Sequence, residues 1–323
     1  SSHHGDRSRA RWPDGLSRTS LCRIRAFSLA LLALFASGLG TGASGQAREA
    51  EGTGRPIVRN YTYREFGADT QNWDVVQGAT GIVYFANNAG VVEYDGRAWR
   101  LIELPDRIAV RSLTVAGPEG GRIYVGGQGD VGYLAPDAAG RLQFNSLLPA
   151  DEARDRRFTG LSRPVVASSG LYFHLRNSLC RWNDGQLRCR EAGATLTGIF
   201  RVADQVFVQQ QGVGLMQVVD SSLTPVPGGN RFADDEIAVV LPYSTAGQDR
   251  LLVGTRRLGL FLQRDAGFVP FGPDIRDRLD EDQLVSGAVL PDGSVALGTR
   301  LRGVFVMDRA GVIRQHLDKS TGL

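Results

Sequence analysis

The sequence predicts an all-β fold, a β-propeller built from four-stranded blades. Three observations predict it. One unit recurs six times: a turn residue, an apolar run, a polar turn ending near glycine, a second apolar run, then a third strand after another turn. The apolar runs carry apolar residues on both faces, as in Gly81-Ile-Val-Tyr-Phe-Ala86, which suits a sheet sandwiched between two neighbours. Long segments of 3.6-residue periodicity are absent, which argues against a helical solenoid, while the 41 glycines suit many short strands and turns. A β-sandwich is the alternative, but it gives no reason for the unit to repeat.

Residues 1–47 read as a leader. Residues 1–21 are polar and aperiodic, Arg23 and Arg25 supply positive charge, and Ala26–Gly38 is an apolar run of signal-peptide length followed by small residues through Ala47. The run is short for a bilayer span, although a single anchor is the other reading. Either way, residues 48–323 are expected to be exported and to form the propeller. The formal net charge of +3 gives no argument for a nucleic-acid partner. Lys319 is the sole lysine, so the basic residues are almost all arginine.

The units begin at Gly81, Gly121, Gly170, Asp204, Asp249 and Gly293, 34 to 49 residues apart. Each is preceded by a further apolar segment, at Trp73, Val110, Arg163, Leu196, Glu236 and Gln283, so each blade has four strands. Residues 57–66 read as a lone leading strand. With six repeats visible, this strand suggests a truncated seven-bladed ring whose last blade lies beyond Leu323. A six-bladed ring closed by the leading strand is the alternative.

The turns between second and third strands share one rim in a propeller. Their polar residues are Asn87 and Asn88, Gln128 and Asp130, Arg176 and Asn177, Gln209 to Gln211, Arg256 and Arg257, and Arg300 and Arg302. Arginine forks and amides suit carboxylates, phosphates or sugar hydroxyls. The expected ligand face is therefore Asn87, Asn88, Gln128, Asp130, Arg176, Asn177, Gln209, Arg256 and Arg300. Any one of these residues is equally explained as an exposed turn.

Other motifs have structural explanations. Gly127-Gln-Gly-Asp-Val-Gly132 fits a dinucleotide-binding pattern, but strands flank it on both sides, so turn glycines explain it. His174 lies in an apolar run and reads as core, His316 stands alone, and no cluster has metal-ligand spacing. No metal or cofactor is expected. Carboxylates concentrate at Asp234-Asp235-Glu236 and Asp274–Asp282, which read as solvated loops unless they form a paired catalytic site. Trp73, Trp99 and Trp182 read as inter-blade packing. In Cys180-Arg-Trp-Asn-Asp-Gly-Gln-Leu-Arg-Cys189, a two-residue Asp184-Gly185 turn pairs Cys180 with Cys189 across a hairpin. That permits a disulfide in an oxidising compartment; two reduced thiols on one face are the other reading.

The stretches Asn60–Trp99, Gly126–Pro149, Pro227–Pro242, Leu251–Phe271 and Leu297–Leu323 resemble the two-component regulator propellers, the ligand-binding regions of bacterial triple-tyrosine-type signalling receptors. The resemblance covers about residues 56–323. It implies a non-catalytic, periplasmic sensor of a small molecule or oligosaccharide. It also implies triple-tyrosine, transmembrane and output modules (histidine kinase, diguanylate cyclase or regulator) beyond Leu323, with a homodimer among the expected assemblies. The alternatives are an exported propeller enzyme acting on polysaccharide and a protein-binding scaffold.

Overall fold

The computed structural model describes residues 59–116, 121–149, 163–175, 177–245, 248–265 and 267–321. They form six four-stranded antiparallel sheets, each running from first to fourth strand in chain order. Blade 1 comprises β1 (Asn72–Gln77), β2 (Val83–Asn87), β3 (Gly90–Tyr94) and β4 (Trp99–Ile102). Blade 2 comprises β5 (Val110–Ala116), β6 (Arg122–Gly127), β7 (Val131–Pro136) and β8 (Leu142–Ser146). Blade 3 has β9 (Val165–Ala167), β10 (Gly170–Leu175), β11 (Ser178–Asn183) and β12 (Gln186–Glu191). Blade 4 has β13 (Leu196–Val202), β14 (Gln205–Gln210), β15 (Gly214–Val219) and β16 (Ser222–Pro225). Blade 5 has β17 (Ile237–Thr245), β18 (Gln248–Thr255), β19 (Leu260–Arg264) and β20 (Gly267–Phe271). Blade 6 has β21 (Leu284–Val289), β22 (Val295–Thr299), β23 (Val304–Met307) and β24 (Ile313–Leu317).

The chain is therefore a six-bladed β-propeller among the described residues, and a seventh blade would have to come from outside them. The leader 1–47 also lies outside. Among the described residues no helix is long and apolar enough to cross a membrane.

Turn chemistry explains the strand ends. Asp95, Asp137 and Asp308 each open the turn between third and fourth strands, and each carboxylate accepts two backbone N–H groups from residues just beyond it. These bonds favour the charged form and hold all three carboxyls below the usual range. At the start of the third strand, Gly214 and Gly303 have φ of 118° and 78°. A Cβ there would lie 2.1 Å from the Gly229 and Leu317 carbonyl oxygens respectively, so the chain leaving the fourth strand passes where only glycine leaves room.

The core lies between blades rather than within them. Five buried apolar clusters each bridge two consecutive blades. One joins Tyr84 and Val91 to Leu113 and Val125; the next joins Val131 to Leu171 and Phe173. A third joins Tyr172 to Ile199 and Val208, and a fourth joins Phe207 to Val253 and Phe261. The last joins Leu252 and Leu260 to Leu297 and Phe305, with Ile275 and Leu279 from helix α2 (Pro273–Asp282). First strands of successive blades pack on one another, with β1 and β21 at the two ends of the series. Their remaining faces stay open: Trp73 is 49% exposed, Val75 55% and Val285 45%.

Two expectations are corrected. The leading strand over 57–66 is not one, at least where the structure describes it. Tyr63–Phe66 is a single helical turn, α1, capped by Thr62 and Glu65 in a reciprocal capping box. Its neighbour Tyr61 and its own Phe66 pack on Trp99, at ring separations of 5.1 and 5.7 Å, so the segment covers the outer part of blade 1. The carboxylate-rich Asp274–Asp282 stretch is not a loop. Ile275 and Leu279, four residues apart, are fully buried and anchor it as helix α2, with Pro273 in its first turn.

Candidate functional site

The rim formed by the turns after the second strands is built the same way in five blades. The backbone N–H of Asn88, Gln128, Gln211, Arg256 and Arg300 donates to the carbonyl of the residue preceding a first strand. Those acceptors are Gln71, Ala109, Thr195, Glu236 and Gln283, at 3.3, 2.9, 2.9, 2.8 and 3.1 Å. This shared bond makes the five residues equivalent and sets their side chains around one mouth.

The residue just before each of them belongs to an inner tier, buried at Asn87, Gly127, Gln210 and Thr255 and half-buried at Thr299. Asn87 is fully buried; its amide donates to the Asp69 carbonyl and the Asn72 side chain, and its oxygen accepts Asp69 and Ala89 N–H. Gln210 donates to the Ala192 carbonyl. Thr255 and Thr299 donate their hydroxyls to Gly259 and Gly303 carbonyls, closing the turns of blades 5 and 6. Gly127 fills the place in blade 2, where a Cβ would meet Ile108 at 2.7 Å.

Four of the predicted ligand-face residues, Asn88, Gln128, Arg256 and Arg300, thus share the mouth, and Gln211 joins them. Asn87 and Asp130 are not among the residues lining it, whereas Gln209 borders its cavity with its polar atoms already engaged. Gln209 is 2% exposed, and its side chain binds the Phe232 and Asp235 carbonyls and the Ile237 N–H, tying the connector between blades 4 and 5. Asp130 is buried, accepting Val131 N–H and the Ser146 hydroxyl; desolvation outweighs these bonds and raises its pKa. Asn177 is exposed and accepts the Thr195 hydroxyl at 3.3 Å. Arg176 lies outside the described residues.

On the arc formed by blades 4 to 6, the mouth widens into a cavity of about 630 Å3, open to solvent. Arg256 pairs with Glu236 at 2.9 Å, and its Nε is shielded from solvent with no hydrogen-bond partner among the described residues. Arg257 lies 3.7 Å from Asp235, whose other oxygen accepts Leu258 N–H. Thr197, Gln209, Gln211, Asp234 and Gln283 complete the polar lining. Gln283 has φ 42° and ψ 111°, a sparsely populated conformation for a non-glycine residue. Arg300 approaches its amide oxygen at 3.5 Å.

On the arc of blades 1 and 2, the structure adds a group that the turns alone do not reveal. The first strands of blades 1, 2, 4, 5 and 6 each carry an irregularity at their second residue: Trp73, Arg111, Thr197, Ala238 and Val285. Arg111 lies over the Trp73 ring at 4.2 Å, and both donate to the Asn88 side-chain oxygen at 2.8 Å. Trp73 thus meets the neighbouring blade through Arg111, while its indole stays 49% exposed rather than buried between blades. Trp99 also departs from the inter-blade packing expected of it: it stacks on Tyr94 at 4.1 Å and meets Phe85 at 5.7 Å, both within blade 1.

The arrangement combines guanidinium groups, amides, carboxylates, a hydroxyl and one oriented indole. It suits a polar ligand with several hydroxyl or acidic groups. Among the described residues no group of three or more His, Cys, Asp or Glu could hold a metal. The Gly127–Gly132 segment is the β6–β7 turn and opens no helix. His174 is buried in β10, where burial lowers its pKa to about 4. A disulfide joins Cys180 and Cys189 across β11 and β12.

No family model matches the chain, and no curated protein matches it by sequence. Solved structures do match its fold. The extracellular domain of the one-component system BT4673 from B. thetaiotaomicron aligns with a TM-score of 0.54 and 16% identity, covering 77% of this chain and 34% of that one. That of the hybrid two-component system BT3049 from the same organism aligns at 0.53 and 14%, covering 80% and 36%. Virginiamycin B lyase from Staphylococcus aureus aligns at 0.54 and 12%, covering 75% and 82%. The chain spans about a third of the length of these two extracellular domains. These likenesses establish the propeller fold.

Proposed function

We propose that the chain is the extracytoplasmic ligand-sensing propeller of a bacterial membrane receptor, binding a small molecule or oligosaccharide at the mouth. The observation that carries this reading is the mouth itself. Its polar side chains are set at equivalent positions by one repeated backbone bond, with Arg256 Nε left without a partner among the described residues and Trp73 held exposed. Indole faces stack on sugar rings, while guanidinium and amide groups bind hydroxyls and carboxylates. The likeness to ectodomains of one- and two-component systems supports a sensing role, and the Cys180–Cys189 disulfide supports export. In this reading the output module belongs to another part of a longer receptor.

The test is a thermal-shift screen of the protein against neutral and uronic-acid oligosaccharides, since a ligand that binds the folded state raises its midpoint. A stabilising sugar whose effect is lost in Trp73→Ala supports the mouth as the site. Equal stabilisation of Trp73→Ala and wild type counts against it.

A second reading, an exported lyase or hydrolase, draws on the fold match to virginiamycin B lyase and on Asp234, Asp235 and Glu236 at the mouth. Asp235 is already held by Arg257 and Leu258 N–H, and neither His174 nor His316 lines this cavity. The sensing reading is therefore preferred. Depolymerisation of a bound oligosaccharide would reverse that preference.

A further inference from the structure

We propose a second ligand site away from the mouth, in the cleft between the outer strands of blades 3 and 4, that takes a tetrahedral oxyanion, the sulfate or phosphate group of an ester. The cleft has a volume of about 390 Å3. Three arginines line it: Arg181 on β11, and Arg188 and Arg190 on β12.

The register explains why all three share one face. Arg181 stands directly opposite Arg188, and Leu179 opposite Arg190. Tyr172 of β10 is opposite Arg181 and, with Leu179, packs into the cluster shared with blade 4. The arginine face is thus turned toward β16. There Arg190 donates to the Ser221 carbonyl at 3.2 Å and the Ser222 hydroxyl at 3.1 Å, fixing the far wall of the cleft.

Like charges directly opposite on a sheet are destabilising. Arg188 donates to the Gln186 side chain at 3.0 Å, and among the described residues Arg181, Arg188 and Arg190 form no ion pair. Among the described residues Glu191 is the only carboxylate lining the cleft. The Cys180–Cys189 bond staples the two strands in this register, so the opposed guanidinium groups cannot separate by slipping. A fork-shaped cation pair held open in this way matches the geometry of sulfate and phosphate oxygens.

The experiment measures the thermal midpoint in sodium chloride, sodium sulfate and sodium phosphate at one ionic strength. Glucose 6-sulfate and glucose 6-phosphate follow, to separate the two ester sources. In chloride, Arg188→Gln should melt at or above wild type, because it relieves the repulsion. A tetrahedral anion at tenfold its Kd should raise wild type by about 3 °C, and the Arg181→Gln/Arg188→Gln pair not at all. The mouth variant Arg256→Gln should keep the full response, which separates this site from the sensing one. An equal anion response in the Arg181/Arg188 pair, no response in wild type, or a lower midpoint of Arg188→Gln in chloride would overturn the proposal.

Discussion

Two tiers of polar residues circle the mouth, one residue apart in sequence, and they do different work. The inner tier, with Asn87, Gln210, Thr255 and Thr299, is spent on the fold; its side chains close turns and tie connectors. Gln209, one residue further into β14, borders the cavity on the side of Gln211, but its amide is also spent on the fold. The outer tier, with Asn88, Gln211, Arg256 and Arg300, fixes its position through backbone N–H and leaves its side chains at the rim. In a β-structure a one-residue step reverses the side chain, so neighbours of like chemistry reach opposite environments. The comparison teaches that polarity in a repeated turn is not evidence for a ligand until backbone bonding has been assigned.

The strongest attempt to break this comparison is Gln209→Leu. It leaves two carbonyls and one N–H without partners in a site 2% exposed, and should cost about 3 kcal/mol in a denaturant titration. His174 shows what a buried polar group does without the anchoring that the inner tier enjoys, since its Nδ1 has no partner among the described residues. Its pKa falls from 6.5 to about 4 on folding, because burial disfavours the charged ring. Below pH 6.5 the unfolded chain takes up a proton that the folded chain refuses. Wild-type stability should therefore fall by up to about 3 kcal/mol between pH 6.5 and pH 4 relative to His174→Leu, with no difference in slope above pH 7.

Next in size is the adjacent pair. Asn87→Ala should cost about 2 kcal/mol, because it frees several buried backbone and side-chain groups, whereas Asn88→Ala should cost under about 1 kcal/mol. The smallest expected effect is that of Arg256→Gln on stability. Its partner Glu236 is 45% exposed, and such pairs contribute about 0–1 kcal/mol. Equal costs for Asn87 and Asn88, or a large cost for Arg256, would show that the tiers are not distinct.

Much of the fold was legible because each blade repeats the same apolar runs and the same turn residues. Asp95, Asp137 and Asp308 mark equivalent turns, and Gly214 and Gly303 mark the close approach of the outgoing chain. Helix α2 was hidden because its buried residues, Ile275 and Leu279, are two apolar positions in a run of charges. The candidate site was half legible. Asn88, Gln128, Arg256 and Arg300 follow from turn position, but Asn87 and Gln209 look identical to them as letters. Trp73 and Arg111 were invisible as a pair, since they meet through irregularities on two first strands 38 residues apart. A break in the two-residue alternation at the start of each such strand is the sequence feature that would have marked them.

The central claim is that the outer tier binds ligand while the inner tier holds the fold. The most direct measurement is the same oligosaccharide thermal-shift screen run on wild type and on the Arg256→Ala/Arg300→Ala pair. The account predicts that the pair melts close to wild type without ligand, and that a compound stabilising wild type leaves the pair unshifted. Equal shifts of both proteins by every stabilising compound would contradict it.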